Sequence, residues 1–213
     1  MTIPPIRNQS YTFQLVKRVF DLVVASLLLI LTLPILAVAV TVVWFSSSGP
    51  VFFGHTRCGR KGIPFKCLKF RTMVVGAQDW LVQDPELREQ YRENGFKLRV
   101  GQDPRITKVG RPMRRAYLDE LPQLINVLRG DMSLVGPRPI IEEELEWYGD
   151  SKDELLSVRP GIFGAWTAQG KSRVDYPKRV EIELSYIRDK NPVKDGIILA
   201  KNIPAVLAGQ PED

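Results

Sequence analysis

Asp119 and Glu120 are adjacent carboxylates preceded by Arg111, Arg114 and Arg115. Two carboxylates beside several guanidinium groups suit a site that holds a divalent cation and phosphates together, because the cation and the arginines each offset negative charge. The same residues also make an ordinary helix start: an Asp at the N-cap, an acid in the first turn, and Pro122 where backbone donors are unpaired anyway. Spacing alone leaves both readings open.

Gly136-Pro137-Arg138-Pro139 sets one arginine between two prolines. Its backbone is stiff, so little entropy is lost when the guanidinium grips an oxyanion; the rival reading is a rigid turn without a ligand. Arg159-Pro160-Gly161 has the same ambiguity, with Pro-Gly favoured at the centre of a type II turn. Lys69-Phe70-Arg71, in an expected strand, puts two cations on one face, for phosphate or for lipid headgroups. His55 is the single histidine and stands in no Ser/His/Asp or Cys/His pattern, so it is expected to be structural or headgroup-facing. Cys58 and Cys67 form no CxxC arrangement and no disulfide framework. There is no P-loop and no Rossmann fingerprint.

Several elements must position these residues. Leu121, Leu124, Ile125 and Leu128 keep the spacing of an amphipathic helix that ends near Gly130. Gly49-Pro50, then Val51 to Phe53 and the partly alternating Ile63 to Phe70, predict a short β-hairpin. Residues 79 to 99 are polar and predict a solvated helix and loop; Glu142 to Glu154, with seven acids and one Lys, predicts an exposed helix. Val180, Leu184 and Ile187 return to helical spacing. The apolar stretch from Val193 to Leu207 suits either a membrane surface, with Lys194 and Lys201 at headgroup level, or a helix packed on the core and broken near Pro204. The expected fold is mixed α/β and helix-dominated.

From Leu22 to Phe45 the chain runs 24 residues without a charge. At about 1.5 Å per residue such a helix exceeds the roughly 30 Å hydrocarbon core of a bilayer. Both flanks are basic: Arg7, Lys17 and Arg18 before it, and Arg57, Arg60, Lys61, Lys66, Lys69 and Arg71 after it, with no acid from there until Asp79. A simple span would leave one cluster on the wrong side. The arrangement with less conflict is a re-entrant hairpin that enters from the cytoplasm, breaks at Pro34 and returns, with Ser26 placed to bond the carbonyl freed near position 30. A signal peptide, a kinked single span and a buried core helix are the competing readings. Residues 1–48 then form the membrane segment, and 49–213 one compact cytoplasmic catalytic domain with a hairpin and amphipathic interfacial helices. A net charge of +6 suits a phosphate-rich partner, while 44% hydrophobic and 25% charged residues exclude a disordered tail or a multi-span protein.

Taken together the motifs resemble the bacterial sugar transferases, the monotopic phosphoglycosyl transferases, in their minimal catalytic form. The resemblance rests on Lys17-Arg18 with Asp21 and Pro34, on Gly49 to Phe53, and on Lys69 to Met73. It extends through Asp103 to Gly110, Leu118 to Val127, Gly130 to Pro139 and Arg159 to Ile162. It implies a re-entrant helix, an active site on the cytoplasmic face of the bacterial inner membrane, Mg²⁺, a UDP-sugar donor and a polyprenyl phosphate acceptor such as undecaprenyl phosphate. It implies Asp119 as nucleophile, Glu120 as its neighbour at the metal, and Arg138, Lys69, Arg71, Arg114, Arg115 and Arg159 as phosphate-binding residues. Lys17, Arg18, Ser26 and Pro34 belong to the membrane segment. The chain departs from the pattern at Ala116-Tyr117, where small hydroxyl residues are usual, at His55, where Gln is frequent, and at Glu183, where Asp is frequent.

The non-enzymatic rival is a membrane-anchored basic module that binds nucleic acid or anionic lipid through residues 57 to 71; its binding would be steeply salt dependent and indifferent to Asp119→Asn. A glycosidase is disfavoured, because its carboxylates flank the sugar about 5 to 9.5 Å apart and these two are neighbours. No nucleic-acid partner is expected of the transferase, and a homodimer is left open, as are the sugar and the glycan pathway.

Overall fold

The computed structural model describes residues 11–96, 98–169 and 176–209. Arg7 of the N-terminal flank lies outside them.

The expected hairpin forms from β1 (Phe52–Cys58) and β2 (Pro64–Phe70), paired antiparallel. Its register sets Phe53 opposite Lys69, His55 opposite Cys67 and Arg57 opposite Phe65. Side chains alternate along a strand, so these six share one face. The short helices α2 (Ala77–Gln83), α3 (Pro85–Glu93) and α4 (Gly110–Arg115) follow. The expected helix and loop of 79 to 99 are thus two helices, split where Asp84 caps α3 by accepting from Leu87 N and Pro85 opens its first turn.

The amphipathic helix is α5 (Gln123–Arg129), closed by Gly130 in the left-handed conformation, φ 91°. Leu124 and Val127 are buried in the main core with Leu134 and Ile187, each apolar side chain contributing roughly 1.5–3 kcal/mol. Asn126, fully buried, staples α5 to the hairpin: its Oδ1 accepts from Leu68 N at 2.9 Å and its Nδ2 donates to Lys66 O at 2.8 Å.

Two further strands, β3 (Ser133–Val135) and β4 (Gly161–Phe163), pair in parallel. Their approach is so close that a Cβ on Gly161 would lie 2.1 Å from Gly136 N. Gly161 opens a strand instead of the expected type II turn, and close packing is what demands a glycine there. Glu142 to Glu154 is largely exposed, as expected, but it is not one helix. It forms a 3-10 stretch (Glu142–Ser151) and α6 (Lys152–Leu156), with Glu144 and Glu154 buried because arginines meet their carboxylates. The chain ends in α7 (Lys178–Asp189) and α8 (Pro192–Ala208), the latter continuous through Pro204, with Ile198 buried and Val193, Ile197 and Ile203 exposed.

The apolar segment is α1 (Tyr11–Ser46), one helix long and apolar enough to cross a membrane. Most of its large apolar side chains face away from the protein; Leu31, Val38 and Trp44 are each more than 60% exposed. Helical structure is not interrupted at Pro34, contrary to the expected break. Next to the proline, the hydroxyl of Thr32 bonds back to the helix, donating to Leu28 O at 2.7 Å, as those of Thr41 and Ser46 do further along. The two arms of α1 pack on the rest of the protein at separate places: Val24, Ala25, Leu28 and Leu29 join the core around α5, and Leu36, Ala39, Val40 and Val43 join a second cluster with Val51, Phe70 and Met113. Leu31 and Leu33 to Ile35, between the arms, are exposed.

Candidate active site

Tyr117 adopts a left-handed conformation (φ 56°, ψ 16°), which costs a residue with a Cβ roughly 1 to 2 kcal/mol. The chain turns there into a single 3-10 turn, Leu118–Glu120, ahead of α5. This turn sends Asp119 inward, 5% exposed, and leaves the Glu120 side chain partly exposed toward Lys69. The N-cap of α5 is Pro122, without a side-chain bond, so Asp119 does not do the capping work that would have explained it structurally.

Two cations gather at these acids. Lys69 Nζ donates to Glu120 Oε1 at 2.9 Å. Arg114, at the end of α4, donates its Nε to Thr72 Oγ1 at 2.8 Å and is held beside Asp119. Its helix is seated by Gly110, whose missing Cβ lets it approach Thr72 O, and by Thr107 Oγ1, which accepts from Gly110 N. Burial raises the Asp119 carboxyl to about 6; Lys69 and Arg114 draw it down and Glu120 pushes it up. At neutral pH Asp119 is therefore an ionised, poorly solvated carboxylate.

Arg138 stands across the hairpin face, on the loop after β3. Its charge acts on His55, Arg57 and Cys67, and its guanidinium makes no hydrogen bond or ion pair among the described residues. Arg57 Nη1 is paired with Glu144 Oε1 at 3.2 Å. Burial and the cations Arg57, Lys69, Arg138 and Lys66 lower the His55 imidazole to about 4, so it is neutral at physiological pH. Lys69, His55 and Arg57 share the hairpin face near Arg138, and the excess of positive charge there suits an anionic substrate.

Other expected site residues lie elsewhere. Arg71 is buried away from the carboxylates, donating to Pro50 O and to Ser47 O at 2.7 Å, where it clamps the exit from α1; β2 ends before it, so it does not share a strand face with Lys69. Arg159 donates to Gly130 O at 2.7 Å, at the opposite end of α5 from Asp119. Arg115 is partly buried, with its carbonyl against the position a Gly209 Cβ would take. Lys17 pairs with Asp195 at 2.6 Å, and Arg18 donates to Val127 O and Leu128 O, so both tie the base of α1 to the protein rather than to headgroups. Arg57 and His55, which the sequence motifs do not single out for the site, lie on the Lys69 face, as strand alternation dictates.

Among the described residues no group of three or more His, Cys, Asp or Glu is arranged to hold a metal. Asp119 and Glu120 offer hard oxygen donors, which fit an Mg²⁺ ion that keeps waters and takes further ligands from substrate phosphates.

The sequence model of the family described as bacterial sugar transferase matches residues 12–209. The chain belongs to the bacterial sugar transferases. Within the family it is similar to the exopolysaccharide production protein ExoY of Rhizobium meliloti, 42% identical over 194 residues that cover 89% of this chain and 84% of that one. It is also similar to the undecaprenyl-phosphate galactose phosphotransferase of Salmonella typhimurium, 44% identical over 90% of this chain and 40% of the other. The UDP-glucose:undecaprenyl-phosphate glucose-1-phosphate transferase of Escherichia coli is 41% identical over 83% of this chain and 37% of its own. The match to the family model runs from α1 to the end of α8, so it takes in the apolar helix as well as the carboxylates.

Proposed function

We propose that this protein transfers a sugar phosphate from a UDP-sugar to undecaprenyl phosphate, releasing UMP and making the polyprenyl-diphosphate sugar that starts a glycan at the membrane. The observation that carries the reading is Asp119, a buried carboxylate that does not cap α5 and stands among Lys69, Arg114 and Glu120. Perturbed, buried acids of this kind mark functional sites. Two of the relatives are named for undecaprenyl phosphate, and one of these also for UDP-glucose; we carry these classes over to this chain.

In the first step an ionised oxygen of Asp119 attacks the phosphorus that bears the sugar. An aspartyl O–P bond forms, the bond to the bridging oxygen breaks, and UMP leaves with that oxygen. In the second step a phosphate oxygen of the lipid attacks the same phosphorus, the aspartyl O–P bond breaks, and the carboxylate returns. Covalent catalysis splits one transfer into two easier ones. Lys69 and Arg114 offset charge at the acids, while Arg138 and Arg57 suit the donor's phosphates. Mg²⁺, held by Asp119 and Glu120, would screen the repulsion between an anionic nucleophile and an anionic diphosphate.

The lipid acceptor calls for a site at headgroup level, and α1 supports one. Both of its arms pack on the same body, and the stretch free of that packing, residues 30–35, spans only about 9 Å as a helix, far short of a roughly 30 Å hydrocarbon core. This favours a re-entrant insertion with both arms on the cytoplasmic face of the inner membrane.

The test uses protein with Mg²⁺ and UDP-glucose or UDP-galactose, first without lipid. Up to one UMP per active site should appear, with a phosphosugar adduct on the peptide containing Asp119, and turnover should begin when undecaprenyl phosphate is added. UMP release only with both substrates present, and no trapped adduct, would replace this path with direct attack by the lipid.

A further inference from the structure

The tripeptide Pro137-Arg138-Pro139 has one backbone donor, because neither proline carries an N–H. That donor, Arg138 N, is accepted by Glu183 Oε1 at 3.1 Å. Glu183 lies on α7, is fully buried, and takes the hydroxyl of Tyr148 on its other oxygen. Arg179, clamped with its guanidinium 4.8 Å from the rings of both Trp166 and Tyr176, lies between Glu183 and Glu144, 3.5 Å from each. Glu144 in turn pairs with Arg57 and accepts the Tyr176 hydroxyl at 2.9 Å. One buried network of two acids and an arginine thus reaches the basic hairpin face at two points, Arg57 by its side chain and Arg138 by its main chain.

We infer that Glu183 is a positioning residue for the transfer: through the single amide of the proline-flanked loop it sets where the Arg138 guanidinium stands beside Arg57. The inference rests on the reading of Arg138 as a phosphate-binding side chain. A buried carboxylate spent on a backbone amide holds that amide more strongly than a neutral acceptor would, since charge-assisted bonds are roughly twice as strong. Arg179, fixed by its two rings, stands 3.5 Å from Glu183 Oε1 and restricts the room in which that side chain can turn. A displacement of the loop by about 1 Å is enough to cost a large part of a rate that depends on positioning.

Glu183→Gln, Glu183→Asp, Arg138→Ala and the double variant Arg138→Ala/Glu183→Gln test this in the full-length protein, read as UMP affinity by calorimetry, transfer rate, the two substrate KM values and Tm. Glu183→Gln should weaken UMP binding and lower kcat/KM for the UDP-sugar at least tenfold with the KM for undecaprenyl phosphate unchanged; Glu183→Asp should recover most of the loss. In the Arg138→Ala background the same Gln substitution should change UMP affinity and any residual rate by less than twofold. An equal loss in both backgrounds, or wild-type UMP affinity and rate in Glu183→Gln, overturns the inference. Arg138→Ala with unimpaired affinity and rate overturns the phosphate reading of Arg138 itself, and Glu183 with it.

Discussion

Lys69 reaches from β2 to within 2.9 Å of a Glu120 carboxylate oxygen, and it is also the cation that most favours ionised Asp119. Both side chains of the pair are about 30% exposed, so it adds little to stability, roughly 0 to 1 kcal/mol. Its charge matters to the chemistry instead. Lys69→Met should lower the transfer rate on the order of 100-fold while Tm moves by no more than about 4 °C, as a loss of up to 1 kcal/mol predicts for a chain of this size. A rate within twofold of wild type would remove Lys69 from the site.

Asp119→Asn separates function from stability. The folded carboxyl titrates near 6 because of burial, against 3.8 for the ordinary group, so the charged form is disfavoured in the folded protein. The resulting cost is absent below about pH 3.8 and complete above about pH 6. Asp119→Asn should therefore be inactive when assayed with Mg²⁺ and, in chelator at pH 7.5, more stable than wild type by on the order of 1 to 3 kcal/mol, with the gain shrinking as pH falls toward 4. Thermal melts across that range check it; a variant less stable than wild type at neutral pH would mean that the carboxylate is structurally required.

His55 has the opposite sign. Its folded imidazole titrates near 4, against 6.5 when unfolded, so between those values the unfolded chain binds the extra proton and stability falls as pH drops. His55→Gln, which keeps a neutral hydrogen-bonding side chain, should lose less stability than wild type between pH 6.5 and 4, and should keep its transfer rate at pH 7.5. Parallel stability curves for the two proteins would show that His55 is solvated or paired in a way that leaves its proton affinity ordinary.

Local signals accounted for the elements but not for their meeting. The hairpin and α5 were legible because their periods are short-range, and Gly130 ended α5 as a glycine at a left-handed position should. What no local rule reveals is long-range pairing: Glu144 is met by Arg57, Arg179 and Tyr176, and Glu183 by Tyr148, all from distant parts of the chain, while only Arg179 and Glu183 are neighbours on one helix. Arg71 and Arg159 show the same limit, since the fold brings each of them backbone carbonyls that spacing does not reveal. An arginine bonding backbone carbonyls looks, in sequence, like an arginine waiting for phosphate. The Arg159-Pro160-Gly161 and Gly136-Pro137-Arg138 motifs proved to be one structure, joined by Gly161 N donating to Pro137 O at 2.8 Å.

That junction predicts a severe effect from a small change. In Gly161→Ala the new Cβ would stand 2.1 Å from Gly136 N and 2.6 Å from its Cα, with only backbone around it, so β3 and β4 must separate. A cost above about 3 kcal/mol is expected, a fall in Tm of about 10 °C, together with loss of transfer because Arg138 moves with the loop. Wild-type stability would mean that the strands already stand further apart.

The re-entrant reading of α1 makes a prediction about sidedness. If both arms remain with the domain, single cysteines at positions 8 and 60, in a Cys-free background, are both shielded from an impermeant thiol reagent added outside spheroplasts and both labelled after lysis. The basic flanks favour this arrangement, and so does the packing of Ala25 and Val43 on one body, since a helix that crossed would strip one arm of its partners. Pro34→Leu restores the amide that a helix needs to bond the carbonyl of Ile30, and so lowers the cost of straightening. The share of position 8 labelled from outside should then rise above the wild-type level. Labelling of position 8 in the wild-type protein from outside would instead make α1 a simple span, with its apolar side chains in lipid along its whole length and the Val24 to Leu29 packing lost.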